Sequence, residues 1–276
     1  SSDNEDISSA LCSEAHENTC RTRAVGRGRL LVLQSDSTVV REFTCGGVTL
    51  TVSADVKSVS AGKRFYLLLK TDGTVEALDK NSKYGECSIP KHLSNVTAIS
   101  AGSFHSLALL SNKKVVAWGW NTEGQTSVPA NLKKAKAIDA GGYHSLALLE
   151  NGRVVGWGSN NYGQATVPTH LNNVKAIAAG FEHSLALKHD GTVVEWGHDS
   201  CAPFPAKLGP VKAICAGNCH SLALMKNGKV VAWGRNDYGN VTCTTFECAK
   251  DVVDIESGKQ CFLAKKSNGS IIRWGW

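Results

Sequence analysis

Four histidines at nearly constant spacing are the residues whose type and position most directly suggest chemistry. His105, His144, His183 and His220 each lie three residues after a glycine and just before Ser-Leu-Ala-Leu. Imidazoles are common metal ligands, so a ring of them could in principle hold a metal ion. Each histidine, however, begins a predicted strand at the same point of a repeat, where its ring can hydrogen-bond neighbouring backbone and hold the turn. Equivalent positions of successive repeats also lie beyond the ~2.0–2.1 Å ligand distance of a single zinc ion. We therefore predict a structural role, with no metal and no cofactor.

The cysteines and the glycosylation sequons bear on the compartment. Ten cysteines lack any Cys-x-x-Cys pair, which favours disulfides over a zinc site, although Cys215-x-x-x-Cys219 and Cys243-x-x-x-x-Cys248 could be metal half-sites. The disulfide candidates are Cys12, Cys20, Cys45, Cys87, Cys201, Cys215, Cys219, Cys243, Cys248 and Cys261. The glycosylation candidates are Asn95, Asn240 and Asn268, each in an Asn-x-Ser/Thr sequon. Together these features predict a secreted, extracellular protein.

One disulfide pairing follows from the repeat positions. Cys219 directly precedes the histidine of the sixth repeat, and Cys261 replaces the histidine of the seventh. Neighbouring repeats should present these positions on the same face, so a Cys219–Cys261 bridge could join them, with Cys215 as a rival partner. The alternative is that Cys261 is a small buried substitute for histidine that stays free or pairs elsewhere.

No constellation of catalytic residues emerges from the sequence. Gly-x-Ser-x-Gly, His-Glu-x-x-His and phosphate-binding glycine loops are absent from it, and the acidic residues form no repeated pair. Asp72-Gly73 and Asp190-Gly191 are interpreted as hairpin turns, because such turns require a positive φ. The predicted inner strands offer mostly small, apolar side chains to a central channel. We therefore predict that the protein is not an enzyme.

The elements that position these residues are set by an internal repeat. An Ala-Gly-x-x-His-Ser-Leu-Ala-Leu segment recurs four times, and three degenerate copies extend it. The repeat glycines are Gly26, Gly62, Gly102, Gly141, Gly180, Gly217 and Gly258, at spacings of 36, 40, 39, 39, 37 and 41 residues. Seven similar units of this length indicate a repeat architecture.

Each unit is composed of short strands and turns. Val174–Ala178 alternates, His183–Leu187 and Thr192–Trp196 follow as second and third strands, and Gly163–Pro168 is interpreted as an outer fourth strand. The fold class predicted is all-β: a seven-bladed β-propeller of four-stranded blades. The last repeat ends after its third strand, so we expect residues 1–23 to supply the missing strand and close the ring. The domain prediction is one propeller over 1–276.

Composition excludes several functional classes. The 276 residues are 42% hydrophobic, enough for a packed core, and carry a formal net charge of +6 without a dense Lys/Arg block. We therefore predict no nucleic-acid partner. The longest apolar runs are far shorter than the ~18 residues of a membrane span, so no span is predicted either.

These motifs resemble the regulator of chromosome condensation repeat family over roughly residues 20–276. The similarity lies in the histidine motif, in Asp/Asn-Gly-x-Val-Val-x-Trp-Gly and in Asn-x-x-Gly-Gln-x-x-Val-Pro, found at 121–129 and 160–168. Within the family, the last element is most similar to bacterial β-lactamase inhibitor protein II. The resemblance implies a seven-bladed propeller, with tryptophans such as Trp118, Trp157 and Trp196 packed between blades. It also implies that the loop face holds a target enzyme.

The variable residues between glycine and histidine indicate where a partner would bind. These two tip residues differ in every repeat, which is typical of a constant scaffold that displays a binding surface. Aromatic and arginine residues are enriched in binding hot spots. The predicted partner-binding residues, from the tips and a second loop set, are Arg27, Lys63, Arg64, Phe104, Trp120, Tyr143, Tyr162, Phe181, Glu182, Arg235 and Tyr238.

Several functions remain open. The leading hypothesis is a secreted non-enzymatic protein that binds a macromolecule, such as an inhibitor of an extracellular enzyme or a defence or toxin-like factor. A lectin or small-ligand binder is the alternative, since Asn-aromatic loops could stack on sugars, but the tips do not repeat as a multivalent lectin's pockets would. A nuclear exchange factor or chromatin binder is a third hypothesis, which the predicted disulfides oppose.

Overall fold

The computed structural model describes residues 20–26, 29–34, 40–44, 47–51, 55–79, 82–198, 205, 208–234, 251–257 and 261–275. Side chains are described within 55–78, 82–198, 205, 208–234, 251–256, 262–270 and at 272. Predictions outside the described residues concern positions 1–19 of the closing segment and Cys12, Arg27, Cys45, Cys201, Arg235, Tyr238, Asn240, Cys243 and Cys248. The side chains of Cys20 and Cys261 lie outside them as well.

The described chain is all-β, with strands that form successive antiparallel sheets numbered here 1 to 7. The first strands of the sheets are β1 (Cys20–Gly26), β5 (Val56–Ala61), β8 (Val96–Ala101), β11 (Ala135–Ala140), β14 (Val174–Ala179), β17 (Val211–Ala216) and β20 (Val252–Ser257). The second strands are β2 (Arg29–Gln34), β6 (Phe65–Lys70), β9 (His105–Leu110), β12 (His144–Leu149), β15 (His183–Lys188), β18 (His220–Met225) and β21 (Cys261–Lys266). The third strands are β3 (Val40–Thr44), β7 (Val75–Asp79), β10 (Val115–Gly119), β13 (Val154–Gly158), β16 (Val193–Gly197), β19 (Val230–Gly234) and β22 (Ile271–Gly275), and sheet 1 adds β4 (Gly47–Thr51).

Every first strand pairs with its second strand through a register shift near its beginning. In sheet 4, for example, Ala135 pairs with Leu149 and Ala137 with Leu148, so Lys136 is the extra residue of a β-bulge. The other six sheets have the shift at the equivalent position. The repeat therefore fixes a backbone irregularity as well as the strands.

The hydrophobic core consists of layers between successive sheets. Leu107 and Leu109 of sheet 3 pack with Ala140, Ala147 and Trp157 of sheet 4, and similar clusters lie between the following sheets. Alternate side chains of a strand face opposite sides, so each middle sheet contributes to two layers. The predicted packing of tryptophans between repeats is confirmed for Trp118, Trp157, Trp196 and Trp233.

The sheets have two distinct ends. One end, the tip face, carries the tips between first and second strands; Trp120 N–H, just after β10, donates to the Phe104 carbonyl there. The other, the hairpin face, carries the turns between second and third strands and the beginnings of the first strands. Its turns include the two predicted Asp-Gly hairpins: Gly191 has φ +91°, and the Thr192 N–H donates to Asp190 Oδ1 at 2.9 Å.

The predicted outer strand at Gly163–Pro168 needs correction, whereas the predicted closing segment lies mostly outside the described residues. Residues 160–168 form turns, not a fourth strand, because Asn160 Oδ1 accepts the Ala165 N–H and Pro168 has no N–H to offer a ladder. Residues 20–23, the described part of the predicted closing segment, belong to β1 and pair with β2 of sheet 1.

Candidate functional site

The repeat histidines join each sheet to the next. His105 Nε2 lies 3.0 Å from Ser145 Oγ, and the pairs His144–Ser184 and His183–Ser221 have the same contact at 2.9 Å. For these three rings the predicted bond to neighbouring backbone is wrong, because the serine after the next repeat histidine faces the preceding sheet and its hydroxyl oxygen accepts from that sheet's imidazole. The structural role itself agrees with this geometry.

The hydrogen bonds of the serine fix the protonation of the histidine. Ser184 Oγ donates to the Gln164 carbonyl at 2.9 Å, so its only proton is used and the His144 Nε2–H must be the donor between the two residues. His144 Nδ1 is then a bare, buried acceptor without a partner. Burial lowers the pKa of His144 to about 3 and that of His183 to about 4, so both rings are neutral.

The repeat glycines leave room for these rings. A Cβ at Gly141 would overlap both the His144 ring and the carbonyl oxygen of Gly180 in the next sheet. The same carbonyl accepts the Gly142 N–H at 3.1 Å. The glycine of the Ala-Gly-x-x-His motif is thus required by close approach between sheets.

The repeat tryptophans make a second joint between sheets. Trp157 Nε1 donates to the Gln125 carbonyl at 2.9 Å, and Ser145 Oγ donates to the same oxygen. Trp196 with Gln164 and Trp118 with Glu86 repeat this arrangement. The loop interpreted as an outer strand therefore serves as an acceptor for the following sheet.

In sheet 6, the repeat tryptophan and serine donate to a carboxylate, whereas those of sheets 3 to 5 donate to a backbone carbonyl. Glu195 Oε2 accepts the Trp233 indole N–H at 2.9 Å, and Glu195 Oε1 accepts the Ser221 hydroxyl at 3.2 Å. His183, Ser221 and Glu195 consequently form a chain of contacts with the residue types of a catalytic triad. The order differs, because the acid contacts the serine instead of the histidine, and His183 and Ser221 are both about 1% exposed.

The tip face carries a contiguous group of five aromatic side chains, named here the aromatic cluster: Tyr84, Phe104, Trp120, Tyr143 and Phe181. Ring centroids are 4.1 Å apart for Tyr84–Trp120, 5.3 Å for Phe104–Trp120, 5.9 Å for Phe104–Tyr143 and 5.4 Å for Tyr143–Phe181. All five are half-buried, so each presents part of a ring to solvent. Sheets 2 to 5 thus share one aromatic surface.

Charges of opposite sign border the aromatic cluster. Lys63 Nζ lies 4.9 Å from the Phe104 centroid and Lys83 Nζ 5.5 Å from that of Tyr84, both within the range of cation–π interactions. At the other end, burial raises the pKa of the Tyr143 hydroxyl, and the Glu182 and Glu123 carboxylates act in the same direction. The surface is therefore basic on one side and acidic on the other.

The structure brings together most of the described residues that were predicted for partner binding. Phe104, Trp120, Tyr143, Phe181 and Lys63 lie in or over the aromatic cluster, and the exposed Arg64 follows Lys63. Tyr162 lies apart, 47% exposed, with its ring against His198. Tyr84 was missed, although aligning Tyr84-Gly85-Glu86 with Tyr162-Gly163-Gln164 places it in the same loop position.

The inner strands line a cavity of about 260 Å³ that is more polar than predicted. Its lining includes Ser60, Ser100, Asp139, Cys215 and Glu256, so the prediction of mostly small apolar side chains holds only in part. Asp139 Oδ2 accepts the Ala179 N–H of the next sheet at 2.8 Å, and burial raises the pKa of this carboxyl. The polar groups here join first strands to one another.

Other predicted sites are placed as follows. Asn95 and Asn268 are exposed, and Asn268 Oδ1 accepts the Ser270 N–H within its own sequon. Cys261 pairs with Gly275 as His220 does with Gly234, so the backbone confirms that Cys261 holds the histidine position. Among the described residues, no group of three or more His, Cys, Asp or Glu could hold a metal ion. The described part of the chain also includes no helix with the length and apolar character of a membrane span.

Comparison with known families accounts for the repeat pattern. Residues 96–125, 135–164, 174–202 and 211–240 match the Regulator of chromosome condensation (RCC1) repeat. The matched segments correspond to sheets 3 to 6. Each matched segment begins at the first strand of its sheet and extends past the third. No curated protein sequence is similar to the chain at a significant level.

Solved structures show the same architecture at low sequence identity. The ectodomain of the Physcomitrella patens receptor kinase CR4 is similar with a TM-score of 0.75 at 21% identity, covering 93% of this chain and 73% of that one. The CRINKLY WD40 ectodomain of the Arabidopsis thaliana receptor kinase ACR4 has a TM-score of 0.73 at 20% identity, covering 93% and 96%. Yeast RCC1 (Prp20), solved bound to Kap60, has a TM-score of 0.69 at 20% identity, covering 82% and 72%. The chain therefore has the fold of RCC1-like propellers.

Proposed function

We propose that the sheets form a closed ring of seven blades that acts as a secreted, non-enzymatic protein-binding scaffold. Contacts of β1 support closure, because this strand of sheet 1 approaches β5 of sheet 2 and β20 of sheet 7. A closed ring leaves no sheet face of the series uncovered, which an open stack of repeats can achieve only with caps.

The observation that carries the binding function is the aromatic cluster. Five half-buried rings in mutual contact form an apolar surface at the tip face, and Lys63 and Lys83 border it. Such a surface combines the apolar centre and charged rim that protein interfaces have. The four sheets that form it supply different residues at equivalent positions, which suits one asymmetric partner.

A non-enzymatic role agrees with the placement of the groups that could do chemistry. His105, His144 and His183 lie between sheets and donate to serines, and His183, Ser221 and Glu195 join sheets 5 and 6. No substrate could reach Ser221 Oγ without separating these two sheets. We therefore assign these residues to the scaffold.

The test is capture of a partner with a matched pair of variants. The immobilised chain should retain one protein in stoichiometric amount from the fluid surrounding its source cells. The variant Phe104→Ala/Trp120→Ala/Tyr143→Ala should lose at least 100-fold in affinity, since aromatic hot spots contribute about 2 kcal/mol or more each. The control Tyr162→Ala, an exposed aromatic outside the cluster, should stay within 3-fold. Equal loss in both variants, or no stoichiometric protein at all, would contradict the proposal.

The class of partner is a finer part of the proposal. The Gly-Gln-x-x-Val-Pro loops resemble those of the bacterial β-lactamase inhibitor, which favours an extracellular enzyme as the target. A secreted protein should have oxidised cysteines, so titration of the unfolded chain with a thiol reagent should detect far fewer than ten thiols. Ten reactive thiols would contradict secretion.

A second candidate function is nucleotide exchange or chromatin binding, which the RCC1 repeats themselves favour. Yeast RCC1, which shares the fold, is bound to Kap60 in its structure. This alternative requires a reducing compartment, so the thiol titration separates it from the leading proposal. Binding of several equal glycan ligands per chain would instead favour a lectin.

A further inference from the structure

The hairpin face, opposite the aromatic cluster, has lysines at one repeated backbone position. The extra residue of the first-strand bulge is a lysine in sheets 2, 4, 5 and 6: Lys57, Lys136, Lys175 and Lys212. Bulges redirect a side chain out of the strand ladder and are common at the rims of closed β structures. Lys57, Lys136 and Lys212 are exposed, and Lys175 is half-buried.

Three of these lysines lie on consecutive sheets around the inner rim. Lys212 Nζ donates to the carbonyl of Val253, the bulge residue of sheet 7, at 3.3 Å. Consecutive bulge positions are therefore within one lysine side chain of each other. Because the first strands of neighbouring sheets contact one another, from β11 through β14 to β17, Lys136, Lys175 and Lys212 follow one another along the hairpin end of these strands. We name these three residues the lysine arc.

The arc lacks local neutralisation within the described part of the chain. Neither Lys136 nor Lys175 has a described carboxylate within ion-pair distance, whereas hairpin lysines do, as in Lys70–Glu76 at 3.1 Å and Lys188–Asp190 at 3.4 Å. Lys134, also exposed, directly precedes β11 and adds a further positive charge. Like charges held together without a counter-ion raise the local potential and attract anions.

We propose that the lysine arc binds a compact polyanion bearing several phosphate or sulfate groups. In the closed ring proposed above, on which this step rests, the three lysine positions follow a curve around the ring axis, so a small ligand near that axis can contact all three side chains. A straight duplex would contact only part of the curve. This site lies at the opposite end of the sheets from the aromatic cluster and does not depend on the protein-binding proposal.

The experiment uses the full chain and two probes, inositol hexakisphosphate and a heparin-derived hexasaccharide, in calorimetric titrations. We expect at least one probe to bind with affinity that falls as salt rises. The triple variant Lys136→Gln/Lys175→Gln/Lys212→Gln should weaken that binding at least 30-fold. Preference for the first probe assigns a phosphate ligand, and preference for the second assigns a sulfated glycan.

The control variant removes three positive charges from hairpin turns, also on the hairpin face. Lys114→Gln/Lys226→Gln/Lys229→Gln changes three exposed lysines outside the arc and should alter affinity less than 3-fold. Both triple variants should melt within a few degrees of the parent chain, because all their lysines except the half-buried Lys175 are exposed. Absence of binding by either probe, equal weakening by both variants, or tighter arc-dependent binding of a DNA duplex would overturn the proposal.

Discussion

His144 Nε2 lies 2.9 Å from Ser184 Oγ, and the two residues belong to adjacent sheets about 40 positions apart in the chain. Because the serine passes its own proton to the Gln164 carbonyl, the histidine must donate. A neutral imidazole with a bare Nδ1 is therefore part of the joint between sheets 4 and 5. The same relation holds for His105 with Ser145 and for His183 with Ser221.

Replacement of the imidazole tests what this hydrogen bond contributes. His144→Phe should lower the free energy of unfolding by about 1–2 kcal/mol, the net worth of a buried hydrogen bond. An aromatic ring still fills the site, and Phe65 already occupies the equivalent position beside Gly62. His144→Ala should cost about 3 kcal/mol or more, because it also leaves a cavity. Urea unfolding measures both, with exposed His189→Ala as the control; equal costs for all three would contradict the assignment.

Stability should fall in mild acid because of the same buried histidines. Their pKa values, about 3 for His144 and about 4 for His183, lie below the usual 6.5, so between pH 7 and 4 the unfolded chain takes up protons that the folded chain refuses. At about 1.4 kcal/mol per pKa unit, each ring removes about 2–3 kcal/mol by pH 4.5. Asp139, whose pKa is raised, acts in the opposite direction over the acid part of this range.

The variant His144→Phe/His183→Phe isolates this contribution. Its stability curve, measured by urea unfolding from pH 7 to 4.5, should be clearly flatter than that of the parent chain. Parallel curves for the two proteins would show that these rings titrate equally in both states.

The glycine of the repeat motif should tolerate no side chain. In Gly141→Ala the new Cβ overlaps the Gly180 backbone carbonyl, which cannot move without separating sheets 4 and 5. We expect a loss of about 3 kcal/mol or more in the free energy of unfolding. Gly209→Ala is the control, since its Cβ would meet only the flexible end of Met225. Similar stability of both variants in urea would argue against close approach of the sheets.

Replacement of Glu195 should lower the free energy of unfolding more than replacement of a half-buried acid normally does. Glu195→Ala removes one acceptor of the Trp233 indole N–H and the acceptor of the Ser221 hydroxyl, at a cost of about 2–3 kcal/mol. Glu195→Gln keeps one carbonyl oxygen and should recover about half of that loss. Exposed Glu150→Ala should change stability by less than about 0.5 kcal/mol. Thermal and urea unfolding would refute this role if all three variants behaved alike.

Local features of the fold could be predicted from the sequence, because they depend on residues close together in the chain. The turn at Asp190-Gly191 and the strand that begins at His183 follow from φ requirements and alternation within ten residues. The joints between sheets depend on pairs such as His144 and Ser184, whose alignment is set only when two repeats pack. Glu195 could not be found at all, since its repeat equivalents, Ala117 and Gly156, offer no side-chain acceptor.

The residues of the candidate site likewise divide into those that the sequence predicts and those that only the packed structure shows. Phe104, Tyr143 and Phe181 are partner-binding candidates from the tips of three successive repeats, and in the structure their rings meet in sequence. Tyr84 belongs to a different loop of sheet 2, and only the packed structure shows that this loop reaches Trp120. The bond between Asp139 and the Ala179 N–H could not be predicted either, because it forms only when two sheets pack together.

The contacts that join sheets 5, 6 and 7 differ from those between the earlier sheets, and this difference disfavours misassembly. Four nearly identical repeats could dock in the wrong order, a known hazard in the folding of repeat proteins. His220, however, meets the ring of Phe262 at 4.2 Å where the other histidines meet a serine, and Trp233 meets a carboxylate where the others meet a carbonyl. A sheet docked out of turn would pair an imidazole proton with a phenyl edge or leave an indole without its acid. These two exceptions favour a single docking order for sheets 5, 6 and 7, because any other order loses one of the two contacts.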